Sequence, residues 1–285
     1  MSKLIIMQGL PASGKSTRAE EILREDGNAV RINRDLLRTM LHFDKWTGKN
    51  EGNTKDAART LAQLFLGKGI NVIIDDTNLH EGTVQSWVDL AKSLNAKIQY
   101  ERLDTDPDEC IKRDEGRQKR VGKHVIQKMA LQHQAYLKGQ KVVICDMDGT
   151  LADPTHRLEY ASGEKKDWEK FFALSVLDKP RNEVIQHAAQ LVRENNAKLM
   201  IVSARPERHR DMTLGWLAGN GISPEILIMR EDNDKREDTE VKSDIFEKYL
   251  KNLDIVALFD DRPSVIRMWR EKGLNVIDVG KGVEF

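Results

Sequence analysis

Five short apolar runs punctuate the chain: Leu4-Ile5-Ile6-Met7, Asn71-Val72-Ile73-Ile74, Val142-Val143-Ile144-Cys145, Lys198-Leu199-Met200-Ile201-Val202 and Val256-Ala257-Leu258-Phe259. They are rich in branched residues, too short for helices, and mostly end at polar or glycine positions. This pattern predicts strands buried on both faces, as in a parallel sheet. Between them, apolar residues recur at helical spacing over Thr54 to Leu66, Val84 to Leu94 and Asn182 to Glu194. Alternating strands and helices give an α/β class, in which ligands gather at the carboxyl ends of the strands. A further helix is expected over His124 to Leu137, followed by Gly139-Gln140-Lys141 as a linker, so the expected domains are 1–139 and 140–285.

The length of 285 residues suits two domains, since a single core rarely grows past about 250 residues. Lys plus Arg and Asp plus Glu number 46 each. The resulting zero net charge argues against bulk binding to nucleic acid or a membrane surface, so any phosphate site is local. Cys110 and Cys145 are the only cysteines. They lie in unrelated contexts and suggest neither a disulfide framework nor a zinc site, which fits a reducing cytoplasm. The opening MSKLIIMQGL has too short an apolar stretch for a signal peptide or membrane span, so no membrane partner is expected.

The first apolar run leads into Gly9-Leu10-Pro11-Ala12-Ser13-Gly14-Lys15-Ser16, the pattern G-x-x-x-x-G-K-S, and then into a helical stretch through Thr17. Glycines let successive backbone N–H groups face the phosphates of a nucleotide, and a helix N-terminus adds partial positive charge. Lys15 is placed to neutralise phosphate charge and Ser16 to put its hydroxyl on Mg²⁺, with ATP as donor. The ATP-binding set is Gly9, Ser13, Gly14, Lys15, Ser16 and Thr17, joined by Arg113. A glycine-rich turn that merely caps a helix is the plainer alternative, and the flanking strand and helix argue against it.

In Arg31-Ile32-Asn33-Arg34-Asp35 an acid at a strand end is positioned to orient and deprotonate an acceptor hydroxyl. Asp35 as a helix N-cap is the competing reading; neighbouring Arg34 and Arg38 favour function. Ile73-Ile74-Asp75-Asp76-Thr77-Asn78 ends another run with acid and amide groups. There Asp76 is a candidate for the metal's water shell or for substrate, against a simple turn. Arg113, Arg117, Lys119 and Arg120 form a basic segment. Such runs are usually solvated, but a P-loop kinase needs an arginine over the transferring phosphate, and Arg117 is the candidate.

The third run carries Asp146-Met147-Asp148-Gly149-Thr150, a D-x-D-G-T sequence that resembles the first motif of the haloacid dehalogenase superfamily. Asp146 is expected to attack phosphorus and form an aspartyl-phosphate. Asp148, two residues on, is expected to serve as acid to the leaving group and then as base to water. Mg²⁺ would relieve the repulsion between these acids and a phosphate dianion. The superfamily's other motifs follow in order: Val202-Ser203-Ala204-Arg205, Lys242 and Phe259-Asp260-Asp261-Arg262. Ser203 is expected on the phosphoryl oxygens and Lys242 on the nucleophile. The metal set is Asp146, Asp148 and Asp261, with Asp260 as the rival of Asp261. Alone, Ser203 as a turn residue and Lys242 as a surface residue are the plainer readings; four elements in order outweigh them.

A P-loop, Asn33-Arg34-Asp35, Asp76-Thr77-Asn78, the basic segment and D-x-D-G-T in one chain resemble the bacteriophage T4-type polynucleotide 5′-kinase/3′-phosphatase family over nearly the whole length. The resemblance implies a P-loop kinase domain followed by a Rossmann-like phosphatase domain with a small cap. It implies transfer of the ATP γ-phosphate to 5′-hydroxyl ends of DNA or RNA, and removal of 3′-phosphates, including after opening 2′,3′-cyclic phosphates. It makes Asp35 the base, Arg38 the binder of an acceptor-side phosphate, Arg117 the stabiliser of the transferring group, and Arg34, Asp76 and Asn78 substrate residues. Arg205, Arg230 and Arg236 would line the phosphatase site. A homotetramer and a polynucleotide ligase that joins the products are also implied.

The sequence departs from that family between Asp153 and Pro180, the expected cap. His156, Arg157, Lys165 and Lys166 there either contact a nucleotide or face water, the latter being favoured. Trp168 and Phe171 read as cap packing rather than stacking platforms. Two other readings stay open: a small-molecule or nucleoside kinase fused to a nucleotide phosphatase, and a sensor or scaffold whose sites are relics. The paired arginines around Asp35 oppose the first, and intact Lys15, Asp35, Asp146 and Asp148 oppose the second.

Overall fold

The computed structural model describes residues 1–133, 136–162 and 165–282. Two compact units divide the chain, the first ending at His133. Both are α/β, each built on its own parallel sheet.

The first unit runs β1 (Lys3–Gln8), α1 (Lys15–Asp26), β2 (Ala29–Ile32), α2 (Arg34–His42), α3 (Gly48–Gly67), β3 (Asn71–Ile74), α4 (Glu81–Ser93), β4 (Lys97–Arg102), α5 (Pro107–Glu115) and α6 (Lys123–Gln132). Its strands stand in the order β2-β3-β1-β4, all parallel. Successive strand side chains point to opposite faces, and the core follows that alternation. Leu4, Ile6, Val72 and Ile74 pack with Ala58, Ala62, Trp87 and Leu90 from α3 and α4. Ile5, Met7 and Ile73 meet Ala19 and Ile22 of α1 on the other side. Strand β4, Lys-Ile-Gln-Tyr-Glu-Arg, shows no apolar run because it is an edge strand bonded to β1 alone and half open to solvent.

The second unit runs β5 (Lys141–Cys145), β6 (Ala152–Asp153), α7 (Trp168–Ala173), β7 (Lys179–Pro180), α8 (Asn182–Asn195), β8 (Lys198–Pro206), α9 (Arg210–Gly219), β9 (Ile226–Arg230), α10 (Asp238–Ile245), β10 (Asp254–Asp260), α11 (Pro263–Glu271) and β11 (Val276–Asp278). Five strands form a parallel sheet ordered β11-β10-β5-β8-β9. Val143, Cys145, Ile201 and Phe259 pack with Val184 and Ala188 of α8 and Trp216 and Leu217 of α9. The antiparallel pair β6-β7 brackets the small cap. That cap consists of α7 and two 3-10 turns, Thr155–Ala161 and Leu174–Leu177, around a small core of Ala161, Phe171 and Phe172.

Three boundaries differ from the sequence reading. Helix α6 stops at Gln132 rather than Leu137, and Lys141 opens β5 instead of ending a linker. The break between units therefore lies beside residues 134 and 135, which fall outside the described set. Strand β8 continues past Val202 to Pro206, carrying Ser203 and Arg205 within the strand.

Candidate active sites

In the first unit the loop after β1 needs backbone conformations that suit glycine: φ is +150° at Gly9 and +98° at Gly14. A Cβ at Gly9 would lie 2.7 Å from the Ser13 hydroxyl and 2.8 Å from the Leu103 carbonyl oxygen, so only glycine lets the loop close. Thr105 donates to the Ser13 carbonyl at 2.9 Å and fixes the turn from below. Lys15, at the first position of α1, donates to the Leu10 carbonyl at 2.5 Å and curls back over the loop. Burial lowers its ammonium to about 8, with Asp75 opposing the shift. Ser16 and Thr17 are exposed at the helix start.

Asn33 at the end of β2 caps α2, its side-chain oxygen accepting from the Leu36 N–H at 2.9 Å. Asp35 is therefore not the cap. It sits in the first turn, 82% exposed, with Arg38 NH1 2.6 Å from its Oδ1. Glu51 on α3 holds that arginine from the other side, accepting from Nε at 3.0 Å and NH2 at 2.9 Å. An exposed carboxylate beside a braced guanidinium can take a proton from a hydroxyl while the cation meets nearby phosphate.

Asp76, at the end of β3, accepts from the Arg34 backbone at 3.1 Å and from its Nε at 2.6 Å. Burial raises its carboxyl, with Arg34 pulling it down. Asn78 differs from expectation. It is 2% exposed, and its amide donates to the Met7 carbonyl at 2.8 Å, which ties the two strand ends together and turns it away from solvent. Arg113 pairs with Glu109 at 2.7 Å and Arg117 with Asp114 at 3.4 Å. Asp114 also accepts from the Val121 and Gly122 N–H groups, folding the basic segment back on itself. Lys119 reaches Asp44 at 2.5 Å and the Thr39 hydroxyl at 3.2 Å, tying that segment to the C-terminal end of α2.

In the second unit Asp146 follows β5, while Asp260 ends β10 and Asp261 follows it. Carboxylate oxygens of the three lie within 4.8 Å of one another. Lys242, on α10, is 3% exposed and stands 3.0 Å from Asp146 and 2.8 Å from Asp260. Both carboxylates hold its ammonium charged against the cost of burial. Asp261 accepts from the Thr150 hydroxyl at 3.1 Å. Burial and the neighbouring Asp260 push its carboxyl up to about 6. Of the two rivals, Asp260 is the more committed, since it also accepts from the Trp269 indole at 3.2 Å. Crowded oxygen donors of this kind suit a hard divalent cation such as Mg²⁺.

Asp148 does not join that trio. Arg205 donates to it through Nε at 2.8 Å and NH2 at 2.6 Å, and Arg157 donates to the same carboxylate. Burial alone would raise its carboxyl; Arg205 and then Arg157 outweigh burial and hold it well below the usual carboxylate range. Arg157 is likewise not a solvated cap residue. It is fully buried, donating to Asp178 at 2.7 Å and to the Phe171 carbonyl at 3.2 Å. The sequence reading passed over Asp178, a buried acid shared by Arg157, Arg205 and His156.

Ser203 is buried, its hydroxyl accepting from the Arg205 N–H at 3.2 Å. Arg230 pairs with Asp238, which also takes Arg262; Asp238 is the second acid that motif spacing did not expose. Arg236 lies on the rim, 2.7 Å from Asp234 and 2.8 Å from Asp244. A cavity of about 600 Å³ opens over Asp146, with Arg230, Arg236, Arg208 and Trp168 on its walls.

Residues 140–284 match the family described as the polynucleotide kinase PNKP phosphatase domain. The chain belongs to that family. Residues 4–136 match an AAA domain family, so this PNKP-family chain carries its phosphatase-type unit behind a P-loop unit, as the motif order predicted. A putative bifunctional polynucleotide kinase/RNA ligase of Autographa californica nuclear polyhedrosis virus is 27% identical over 296 residues, covering 94% of this chain and 41% of the relative. The PNKP-family chain thus spans about two fifths of that relative's length. An L-seryl-tRNA(Sec) kinase of Methanococcus maripaludis is 25% identical over 55% of this chain and 61% of the relative. A chain from a structure of a Pnkp1/Rnl/Hen1 complex is 27% identical, with 99% of this chain and 98% of that one covered at a TM-score of 0.44. Among the described residues no helix is long and apolar enough to cross a membrane.

Proposed function

We propose that this chain heals nucleic-acid ends, phosphorylating 5′-hydroxyls from ATP in its first unit and hydrolysing 3′-phosphates in its second. The observation that carries the reading is the pairing, in one PNKP-family chain, of a unit holding a P-loop and the Asp35–Arg38 pair with a unit whose acidic cluster is built on Asp146.

In the kinase, Gly9 to Ser16 cradle the triphosphate and Lys15 supplies charge to it. Asp35 accepts the proton of the attacking 5′-hydroxyl as its oxygen bonds to the γ-phosphorus and the bond to ADP breaks. Arg38 holds a neighbouring backbone phosphate, Arg113 binds ATP, and Arg117 stabilises the charge that builds on the transferring group. ATP is the donor and Mg²⁺ the cofactor, with Ser16 as its protein ligand.

In the phosphatase, an Asp146 oxygen bonds to phosphorus, the bond to the 3′-oxygen breaks, and that oxygen takes a proton from Asp148. Water then attacks the aspartyl-phosphate and gives its proton to Asp148, releasing inorganic phosphate. In the resting site two guanidiniums keep Asp148 ionised, the form that serves as base. Its acid role requires it to take up a proton as the phosphate dianion enters and draws on the same arginines. Lys242 holds Asp146 in place, and Ser203 takes the role of orienting phosphoryl oxygens. Asp146 and Asp261 would hold Mg²⁺, which when bound neutralises the crowded acids and the phosphate. The products, a 5′-phosphate and a 3′-hydroxyl, are what a polynucleotide ligase consumes; the relative named as a kinase/RNA ligase fits that sequence of reactions.

The test is end-group analysis of an oligonucleotide bearing a 5′-hydroxyl and a 3′-phosphate, incubated with ATP and Mg²⁺. Asp35→Ala should lose only 5′-phosphorylation and Asp146→Ala only 3′-dephosphorylation. Wild-type protein that leaves both ends untouched yet turns over nucleosides or mononucleotides would replace this reading with a small-molecule one.

A further inference from the structure

The cavity over Asp146, at about 600 Å³, is far larger than a phosphoryl group requires, and one of its walls is aromatic. Trp168, the first residue of α7, lines that cavity and remains 43% exposed, whereas Phe171 and Phe172 beside it are 3% and 9% exposed. The two phenylalanines are packing residues, as the sequence suggested for Phe171. The tryptophan is not.

Its ring is backed by the two phenylalanines. It stacks against Phe172 at 23° with centroids 6.0 Å apart, and meets Phe171 edge-on at 5.6 Å. Phe172 rests in turn on His209 at 5.2 Å. The Arg157 guanidinium lies 4.1 Å from the Phe171 centroid. The aromatic stack is therefore tied to the same arginine that holds Asp148, which fixes its position relative to the nucleophile. Lys166 Nζ lies over the Trp168 ring, 5.3 Å from its centroid, so a base stacking there takes the place of this exposed lysine and frees it for phosphate.

A rigidly backed, solvent-open indole on the wall of a phosphate cavity suits a planar ring joined to the phosphate by a short link. A polynucleotide end supplies both, followed by a backbone phosphate. We infer that Trp168 is the platform on which the terminal nucleobase of a 3′-phosphorylated strand stacks, with Lys166 meeting the next backbone phosphate. This rests on the 3′-phosphatase reading above. Stacking of this kind tolerates any base, since each has a π-face, so the subsite selects a nucleotide end without selecting a sequence.

The experiment compares wild type, Trp168→Phe and Trp168→Ala on three substrates. These are an oligonucleotide ending in a nucleoside 3′-phosphate, the same oligonucleotide with a base-free tetrahydrofuran 3′-phosphate terminus, and acetyl phosphate. Trp168→Ala should raise KM for the base-bearing end about tenfold, within the range for losing one stacked base, with kcat kept. The base-free end and acetyl phosphate should be unchanged, and Trp168→Phe should restore most of the affinity. A loss shared by all three substrates would make Trp168 a packing residue of the cap, and an unchanged KM on the base-bearing end would equally overturn the inference. Wild-type protein that hydrolyses acetyl phosphate but no 3′-phosphate end would refute the functional reading itself, and the stacking role with it.

Discussion

Replacing Arg157 by methionine tests whether the phosphatase unit is organised around a buried charge network. Arg157 has no exposed surface and reaches two acids and a main-chain carbonyl: Asp178, Asp148 and the Phe171 carbonyl. Methionine fills much of the volume and donates nothing. Asp148 keeps both contacts from Arg205, at 2.8 and 2.6 Å. Asp178 is left with His156 at 2.9 Å and a longer contact from Arg205 at 3.4 Å, although its side chain has no exposed surface. Removing one partner of a buried ion pair costs about 3–5 kcal/mol, because the other charge stays desolvated; the lower end applies here because some partners remain. Urea unfolding followed through tryptophan fluorescence, with acetyl phosphate hydrolysis marking the transition of the phosphatase unit, measures the loss. Arg157→Met/Asp178→Asn should recover most of it by removing the stranded charge, without restoring full hydrolysis. A single variant that loses less than about 1 kcal/mol, or a double variant no more stable than the single, would refute the reasoning.

Gly149→Ala should abolish 3′-dephosphorylation while leaving 5′-phosphorylation intact. A Cβ there would stand 1.9 Å from Asp261 Oδ2, on a backbone with φ of +83°, so end-group analysis retaining both activities would contradict the geometry. For Lys15, a folded pKa near 8 against an ordinary 10.5 means that its charged form costs roughly 3 kcal/mol of stability below pH 8, a cost that fades as pH rises towards 10.5. A triphosphate favours the charged form, so ATP binding above pH 8 should take up a proton. Calorimetry in two buffers of different ionisation enthalpy should give different heats at pH 8.5, where the phosphates of ATP are already fully ionised; equal heats there would place the lysine elsewhere.

What the sequence determined by itself is the set of elements whose signal is local. A strand buried on both faces must be an unbroken apolar run, which is why β1, β3, β5, β8 and β10 were legible. The glycines of the P-loop and of D-x-D-G-T mark turns that their motifs require, so the positions of these two turns at strand ends and the order of the two units could be read directly. Edge strand β4 could not, because solvent on one side relaxes the demand for apolar residues. Tertiary structure alone decided the partners of charged residues, since a carboxylate looks the same in sequence whether it faces a metal, a guanidinium or water. Asp148 turned from the acidic trio towards Arg157 and Arg205, Asn78 became a buried brace, and Asp178 and Asp238 emerged as anchors for arginines distant in sequence. The same limit separated Trp168 from Phe171: neighbours on one side of a short helix with their rings in contact, they differ in how far the fold covers them.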